Sequence, residues 1–351
     1  MTESIRVAHC GLGQWGPNLL RNLAENEHCR ITALCDLSRQ KLERFGADHP
    51  GAALLTRVEE VAERDDVDAV VLATPAGLHE EQVHLMLEAG KDVLVEKPLA
   101  LTLASAEELV QRAAELGRLL MVGHTFLFNP AVRRVRREIE AGNLGRLHLV
   151  LAQRLSLGRI REDCNALWNL APHDVSIILN WMDAMPLNVS ARGIALHERH
   201  KQEDIALVTL EFPSRVMASI QVSWINPVKV RAMTVVGSQR MLVYDDVNMK
   251  NPLTVYNKRV EEVPATAEPG TLERFKLEIR QGEEEPLPVQ WREPLAEEVA
   301  HFLDCVRTRR TPTGSGEEAL RIMSVLEACD LSMRQDGALV EPRVPASATR
   351  G

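Results

Sequence analysis

The sequence is poor in the residues that mark several common kinds of function. Aromatic side chains make up only 4% of its 351 residues, too few for base-stacking platforms or for an aromatic belt at a membrane interface. Positive charge is not in excess either. The 41 Lys+Arg stand against 50 Asp+Glu, a formal net charge of -9, so the chain as a whole does not attract a nucleic-acid backbone. No apolar run approaches the roughly 20 residues that span a bilayer, and the best candidate, Val67 to Ala73, contains Asp68 and is followed by Pro75. The six cysteines (Cys10, Cys29, Cys35, Cys164, Cys305, Cys329) form no C-x-x-C pair, which reads as reduced structural thiols. No three-ligand metal spacing is recognisable, and no metal is expected. Met-Thr-Glu-Ser leads straight into Ile5 with no basic or apolar leader, so the expected location is the cytoplasm.

What is present is an ordinary globular composition, 45% hydrophobic and 26% charged, and a length that suggests about two domains. From residue 1 to 125, short β-branched runs (Ile5-Cys10, Ile31-Cys35, Ala69-Ala73, Val93-Val95, Leu119-Val122) alternate with helical spacing over Asn18-Glu25, Ser38-Phe45, Glu80-Ala89 and Ala104-Leu116. Such βαβ repetition predicts an α/β fold with a doubly wound parallel sheet, a Rossmann domain. From residue 126 to 335, successive longer strands and a helix near Asn169-Trp181 predict an α+β domain with a large, open, mostly antiparallel sheet. The helices expected within 294–333 pack back toward the first domain. Residues 336–351 read as a fraying tail, and Glu283-Pro288 as a charged loop. The basic run Arg133-Arg137 alternates with Val132, Val135 and Ile139, which marks a solvated helix face.

The first strand runs into Gly11-x-Gly13-x-x-Gly16 and then a helix, the context that gives this weak motif a mechanism. Gly11 permits the turn, Gly13 lets backbone approach a pyrophosphate, Gly16 lets helix pack on sheet, and the helix N-terminus holds the phosphates. Gln14 and Trp15, within the turn, are assigned to the cofactor with them. Twenty residues beyond Gly16, at the end of the second strand, Asp36 is placed to accept from an adenosine ribose. A carboxylate there repels a 2′-phosphate, so NAD is favoured, with NADP left open by Arg39. Lys97, in Glu96-Lys97-Pro98 at the end of the fifth strand, falls where a nicotinamide would lie. His124, after the sixth strand, is expected to face the same crevice.

Together, Gly11-x-Gly13-x-x-Gly16, Thr74-Pro75-x-x-x-His79 and Glu96-Lys97-Pro98 resemble the glucose-fructose oxidoreductase / inositol dehydrogenase / rhizopine-catabolism (Gfo/Idh/MocA) family. Glu293-Pro-Leu with His301-Phe-Leu-Asp-Cys305 is similar to the family's closing helix. The resemblance implies that Thr74, Pro75, His79 and Glu96 serve the cofactor, and that Lys97 and His173 carry the chemistry. The family's second-domain motif is an Asp followed four residues later by His; here the pair is Asn169 and His173, and Asn169 cannot hold charge. Pro172 is tolerated in a first helical turn, so this helix is expected to begin near Trp168.

The stretch Leu157-Gly-Arg159-Ile-Arg161 with Leu167-Trp168-Asn169-Leu-Ala-Pro-His173-Asp174 resembles a subgroup of nucleotide-sugar 3-dehydrogenases. That implies a substrate held by Lys97, Arg159, Arg161, Asn165, Trp168, Asn169 and His173, the arginines on phosphate or carboxylate. The implied activity is hydride transfer between NAD and a secondary alcohol of a sugar, a UDP-N-acetylhexosamine-like nucleotide sugar or a cyclitol. Alternatives are a keto-sugar reductase, a glycoside hydrolase using bound NAD for transient C3 oxidation, and a non-catalytic sensor. A homodimer or homotetramer through the second-domain sheet is expected.

Overall fold

The computed structural model describes residues 4–158, 160, 164–196, 202–264 and 275–345. The chain divides into two compact units. The first runs to Asn129 and takes in Arg292–Ser324; the second holds Pro130–Trp291 and Val325–Arg343.

In the first unit, β1 (Ile5–Cys10), β2 (Cys29–Cys35), β3 (Ala53–Leu55), β4 (Ala69–Leu72), β5 (Asp92–Glu96) and β6 (Leu120–Gly123) form one parallel sheet in the order β3-β2-β1-β4-β5-β6. The helices between them are α1 (Gly16–Ala24), α2 (Arg39–Gly46), α3 (Val58–Ala62), α4 (His79–Glu88) and α5 (Leu103–Glu115). The order reverses at β1 and β4, which makes the carboxyl ends of those strands the switch point where such sheets bind ligands. The strands are buried on both faces, which is why they read as continuous apolar runs. Val70 and Leu72 pack with Val83, Met86 and Leu109 on one side. Ala69 and Val71 pack with Leu19, Leu23 and Phe302 on the other. Ser38 and Thr102 cap α2 and α5, accepting from the amides of Lys41 at 3.4 Å and Ser105 at 3.1 Å. The sequence reading lacked β3 and α3, whose three and five residues are too short to show a period.

The second unit begins with α6 (Pro130–Glu140), then β7 (Leu147–Leu157), α7 (Ala166–Met182), β8 (Asn188–Ile194), β9 (Ile205–Phe212), β10 (Val216–Ser223), β11 (Ile225–Gly237), β12 (Met241–Asp245) and β13 (Leu253–Tyr256). A detached ribbon, β14 (Arg259–Pro264) with β15 (Phe275–Arg280), precedes β16 (Glu284–Pro286). The eight-stranded sheet has the order β16-β13-β12-β11-β7-β10-β9-β8 and is antiparallel except for β10 with β7. The segment expected as a charged loop thus contains an edge strand, and Pro286 sits at the margin where a missing N–H is tolerated. Helix α7 packs on β7, β9 and β10. On β7, Val150, Ala152 and Arg154 are buried, and Leu151 between them is 40% exposed.

Two helices follow, α8 (Pro294–Thr308) and α9 (Gly316–Arg334), and the division between the units falls inside α9. The tail does not fray at once. Val340 exchanges backbone hydrogen bonds with Val189 at 2.8 and 2.9 Å.

The start of α7 departs from expectation. Asn165 is its cap, accepting from the Trp168 amide at 3.0 Å, and the helix begins at Ala166. Pro172 therefore lies beyond the first turn, inside the helix. The Asn165 cap, worth about 1 kcal/mol, does not by itself offset an interior proline, which costs about 3 kcal/mol; the packing of α7 on β7, β9 and β10 holds the longer helix.

Candidate functional site

The glycine turn is built by contact. Gly11 has φ +98°, and a Cβ on it would lie 2.5 Å from the Ala73 carbonyl oxygen; its amide donates to the Cys35 carbonyl at 2.8 Å. A Cβ on Gly16 would lie 1.8 Å from the Gly11 carbonyl oxygen, whereas one on Gly13 would meet nothing within 4 Å. Two glycines are thus required by the protein itself, and the third leaves an open cradle. Helix α1 begins there with no side-chain cap and no acidic residue in its first turn, so no carboxylate of its own competes for its N-terminal dipole. These features fit a dinucleotide pyrophosphate. Gly16→Ala is expected to cost about 1–3 kcal/mol in unfolding free energy by overpacking. Gly13→Ala should leave the denaturation midpoint unchanged yet weaken NAD binding about tenfold or more, measured by titration.

Asp36 sits where a ribose would be read. Its Oδ2 accepts from the Leu12 amide at 2.7 Å and its Oδ1 from the Ser38 amide at 2.9 Å. Lys41, which sequence reasoning passed over in favour of Arg39, holds its ammonium 3.5 Å from Oδ2. His9 was also missed. It lies buried under the turn with Nε2 3.0 Å from the Gly11 carbonyl oxygen, and burial pushes its pKa down to about 4. The neutral ring therefore donates from Nε2 and holds that carbonyl in place. The available signal was a histidine among the apolar residues Val7, Ala8 and Cys10, two residues before Gly11.

The other first-unit candidates fall into two groups. Gln14, Trp15 and Pro75 are exposed and Thr74 and Lys97 half-buried, at or beside the carboxyl ends of β1, β4 and β5. His79 and His124 are buried, 1% and 3% exposed. His79 sits between two carbonyl oxygens, Nδ1 2.7 Å from that of Pro98 and Nε2 2.9 Å from that of Thr74. Burial lowers its pKa, and the neutral ring has one N–H, so it donates to one of the two turns and packs against the other. His124, expected to face a crevice, is buried after β6. Neither ring nitrogen has a hydrogen-bond partner among the described residues, and burial, with the Lys97 charge, pushes its pKa down to about 3. Glu96 accepts from the Trp15 indole; burial pushes its carboxyl up to about 7, against the pull of the Lys97 ammonium and that hydrogen bond.

In the second unit, α7 carries Asn165, Trp168, Asn169 and His173. Asn165 donates to Glu203 Oε2 at 2.9 Å, which anchors the cap. Trp168, Asn169 and His173 are half-buried, with the last two one helical turn apart. Asp174, beside His173, points into the core. It takes a bidentate bond from Arg154, Nε to Oδ2 at 3.0 Å and Nη2 to Oδ1 at 2.9 Å. This buried pair was missed, although a lone arginine at an inward position of β7 was its trace. Arg159 and Arg161 lie outside the described residues. Among the described residues no group of three or more His, Cys, Asp or Glu is placed to hold a metal, and no helix is long and apolar enough to cross a membrane.

Comparison with known proteins bears on both units. Residues 5–124 match the family model described as oxidoreductase family, NAD-binding Rossmann fold, and residues 132–243 match the C-terminal domain model of the same family. A 4-carboxy-2-hydroxymuconate-6-semialdehyde dehydrogenase of Sphingobium is 37% identical over 144 residues, 40% of this chain and 44% of that protein. An inositol 2-dehydrogenase of Mycolicibacterium smegmatis is 36% identical over 153 residues, 42% of this chain and 44% of that protein. The chain thus spans about half the length of these curated relatives. A crystal structure of a candidate oxidoreductase from Magnetospirillum magnetotacticum superposes with a TM-score of 0.78 at 30% identity, covering 93% of this chain and 100% of that one.

Proposed function

Because the chain belongs to the Gfo/Idh/MocA oxidoreductase family, with its NAD-binding Rossmann fold, we propose that it oxidises a secondary alcohol of a sugar, nucleotide sugar or cyclitol with NAD. The observation that carries this reading is the convergence of the glycine turn, Asp36 and Lys97 at the carboxyl ends of β1, β2 and β5. A bound nicotinamide would supply the carbon that accepts the hydride. Gly13 and the α1 N-terminus would hold the pyrophosphate, and Asp36 the adenosine ribose.

The hydroxyl proton is assigned to Lys97, which must present an unprotonated amine to take it. His173 is the weaker base candidate. Asn169 offers no charge to an imidazolium, and Asp174 is spent on Arg154. Under this assignment Asn169→Asp changes turnover less than about tenfold; a gain of a hundredfold or more, the scale of general-base catalysis, would sink it in favour of a carboxylate–histidine base. The substrate class is tested by a panel of UDP-sugars, free sugars and inositols with NAD and NADP, followed at the NADH absorbance band. The expected result is turnover on one class with NAD preferred, and a flat panel counts against the reading.

A further inference from the structure

Behind the Lys97 turn lies a cluster of polar atoms that the proposed chemistry does not use. Glu298, on α8, is fully buried; Thr125 Oγ1 donates to its Oε2 at 2.8 Å, and its Oε1 has no partner among the described residues. Glu96 Oε1 is also buried without a partner. The Glu96 carboxylate lies over the neighbouring strand, close enough that a Cβ on Gly123 would sit 3.2 Å from Oε1. Buried polar atoms without partners are uncommon, and two on carboxyls that meet the same short segment, Glu96 at Gly123 and Glu298 at Thr125, mark a place where protonation is shared out.

We propose that Glu96 is a positioning residue whose single charge joins the glycine turn to the Lys97 turn, with Glu298 the buried acid that stays neutral so that only one charge exists there. The argument rests on the cofactor reading above. The Glu96 charge acts on Glu298 and raises its pKa, and two interacting carboxylates in a dry site do not both ionise. Glu96 is the member that ionises, because the Trp15 indole N–H and the Lys97 ammonium both favour its anion. Glu298 has only the Thr125 hydroxyl, and burial beside the Glu96 charge holds it well above the usual carboxylate range.

The neighbouring titratable groups are histidines: on α8, one turn past Glu298, His301 accepts from the Thr313 amide through Nε2 at 2.9 Å, and burial lowers the pKa of His79 behind the Lys97 turn. His124 stays neutral above about 3, and His9, under the turn, above about 4. On α1, the helix packed against α8, Arg21 is engaged by Glu293 at 2.6 Å. Glu96 therefore titrates as one group, and its ionisation pins Trp15 over the turn and gives Lys97 a fixed counter-charge.

The test uses the full chain without cofactor. Trp15 emission, taken as wild type minus Trp15→Phe, should show one pH transition near 7. Glu96→Gln should abolish it, and Glu298→Gln, which copies a neutral acid, should leave its midpoint within about half a pH unit. A transition that survives Glu96→Gln, or a midpoint moved by a full unit or more in Glu298→Gln, overturns the proposal. Should Glu298→Gln fail to fold, Thr125→Val removes the donor to Glu298 and must likewise leave the midpoint in place. With NAD added, affinity should fall severalfold below the same midpoint, and an affinity indifferent to it removes the positioning role. No NAD binding at any pH, with the emission transition intact, contradicts the dehydrogenase reading instead and leaves the acid pair standing.

Discussion

Lys97→Ala is expected to lower the rate of NADH formation by about a hundredfold to ten-thousandfold, the range general-base catalysis supplies, with NAD affinity changed only a few-fold. Lys97 is half-buried at the end of β5, and the glycine turn is shaped by Ala73, Cys35, Asp36 and His9. Removing the amine therefore takes away a proton acceptor and leaves the pyrophosphate and ribose contacts standing. Lys97→Arg sharpens the test. Arginine keeps the positive charge but does not release its proton in a protein, so it should be nearly as inactive as alanine. If charge alone mattered, Arg would rescue. Steady-state rates beside an NAD titration separate the outcomes, and undiminished turnover in Lys97→Ala excludes the lysine as base.

The second large effect is on stability. Arg154 and Asp174 have side chains 8% and 2% exposed and bond in bidentate geometry. Asp174→Ala leaves a guanidinium buried without its counter-charge, which costs about 3–5 kcal/mol. Denaturant unfolding followed in the second unit should show that loss. The pair is not irreplaceable, however. Arg154→Met with Asp174→Leu swaps both charges for apolar groups and should be far less destabilising than either single change, because no unpaired charge remains. Since Asp174 directly follows His173 on α7, Asp174→Ala should also loosen α7 and, with the proposed substrate site there, raise KM more than the double variant does.

Most of the first unit was legible because its strands are local apolar runs between helical periods and its cofactor turn is a local motif. The tight turn at Gly11 and Gly16 and the place of Asp36 just past β2 needed only their neighbours to be read. The parts that escaped depend on remote partners or on ends too short to carry a period. The Thr125 hydroxyl meets Glu298 across 173 positions, and Arg154 meets Asp174 from another element. His124 lay at a strand end like any crevice residue, and only the packing around it shows that it is enclosed. Pro172 misplaced the start of α7 because proline announces itself more loudly than an asparagine cap does.

The account stands most directly on the stoichiometry of reduced cofactor. With the substrate class that responds in the panel and NAD in excess, it predicts one NADH accumulated for each substrate molecule oxidised, over many turnovers, and none with Lys97→Ala. Consumption of substrate with sugar released and no reduced cofactor accumulating would contradict it, and would make the bound nucleotide a transient participant in bond cleavage.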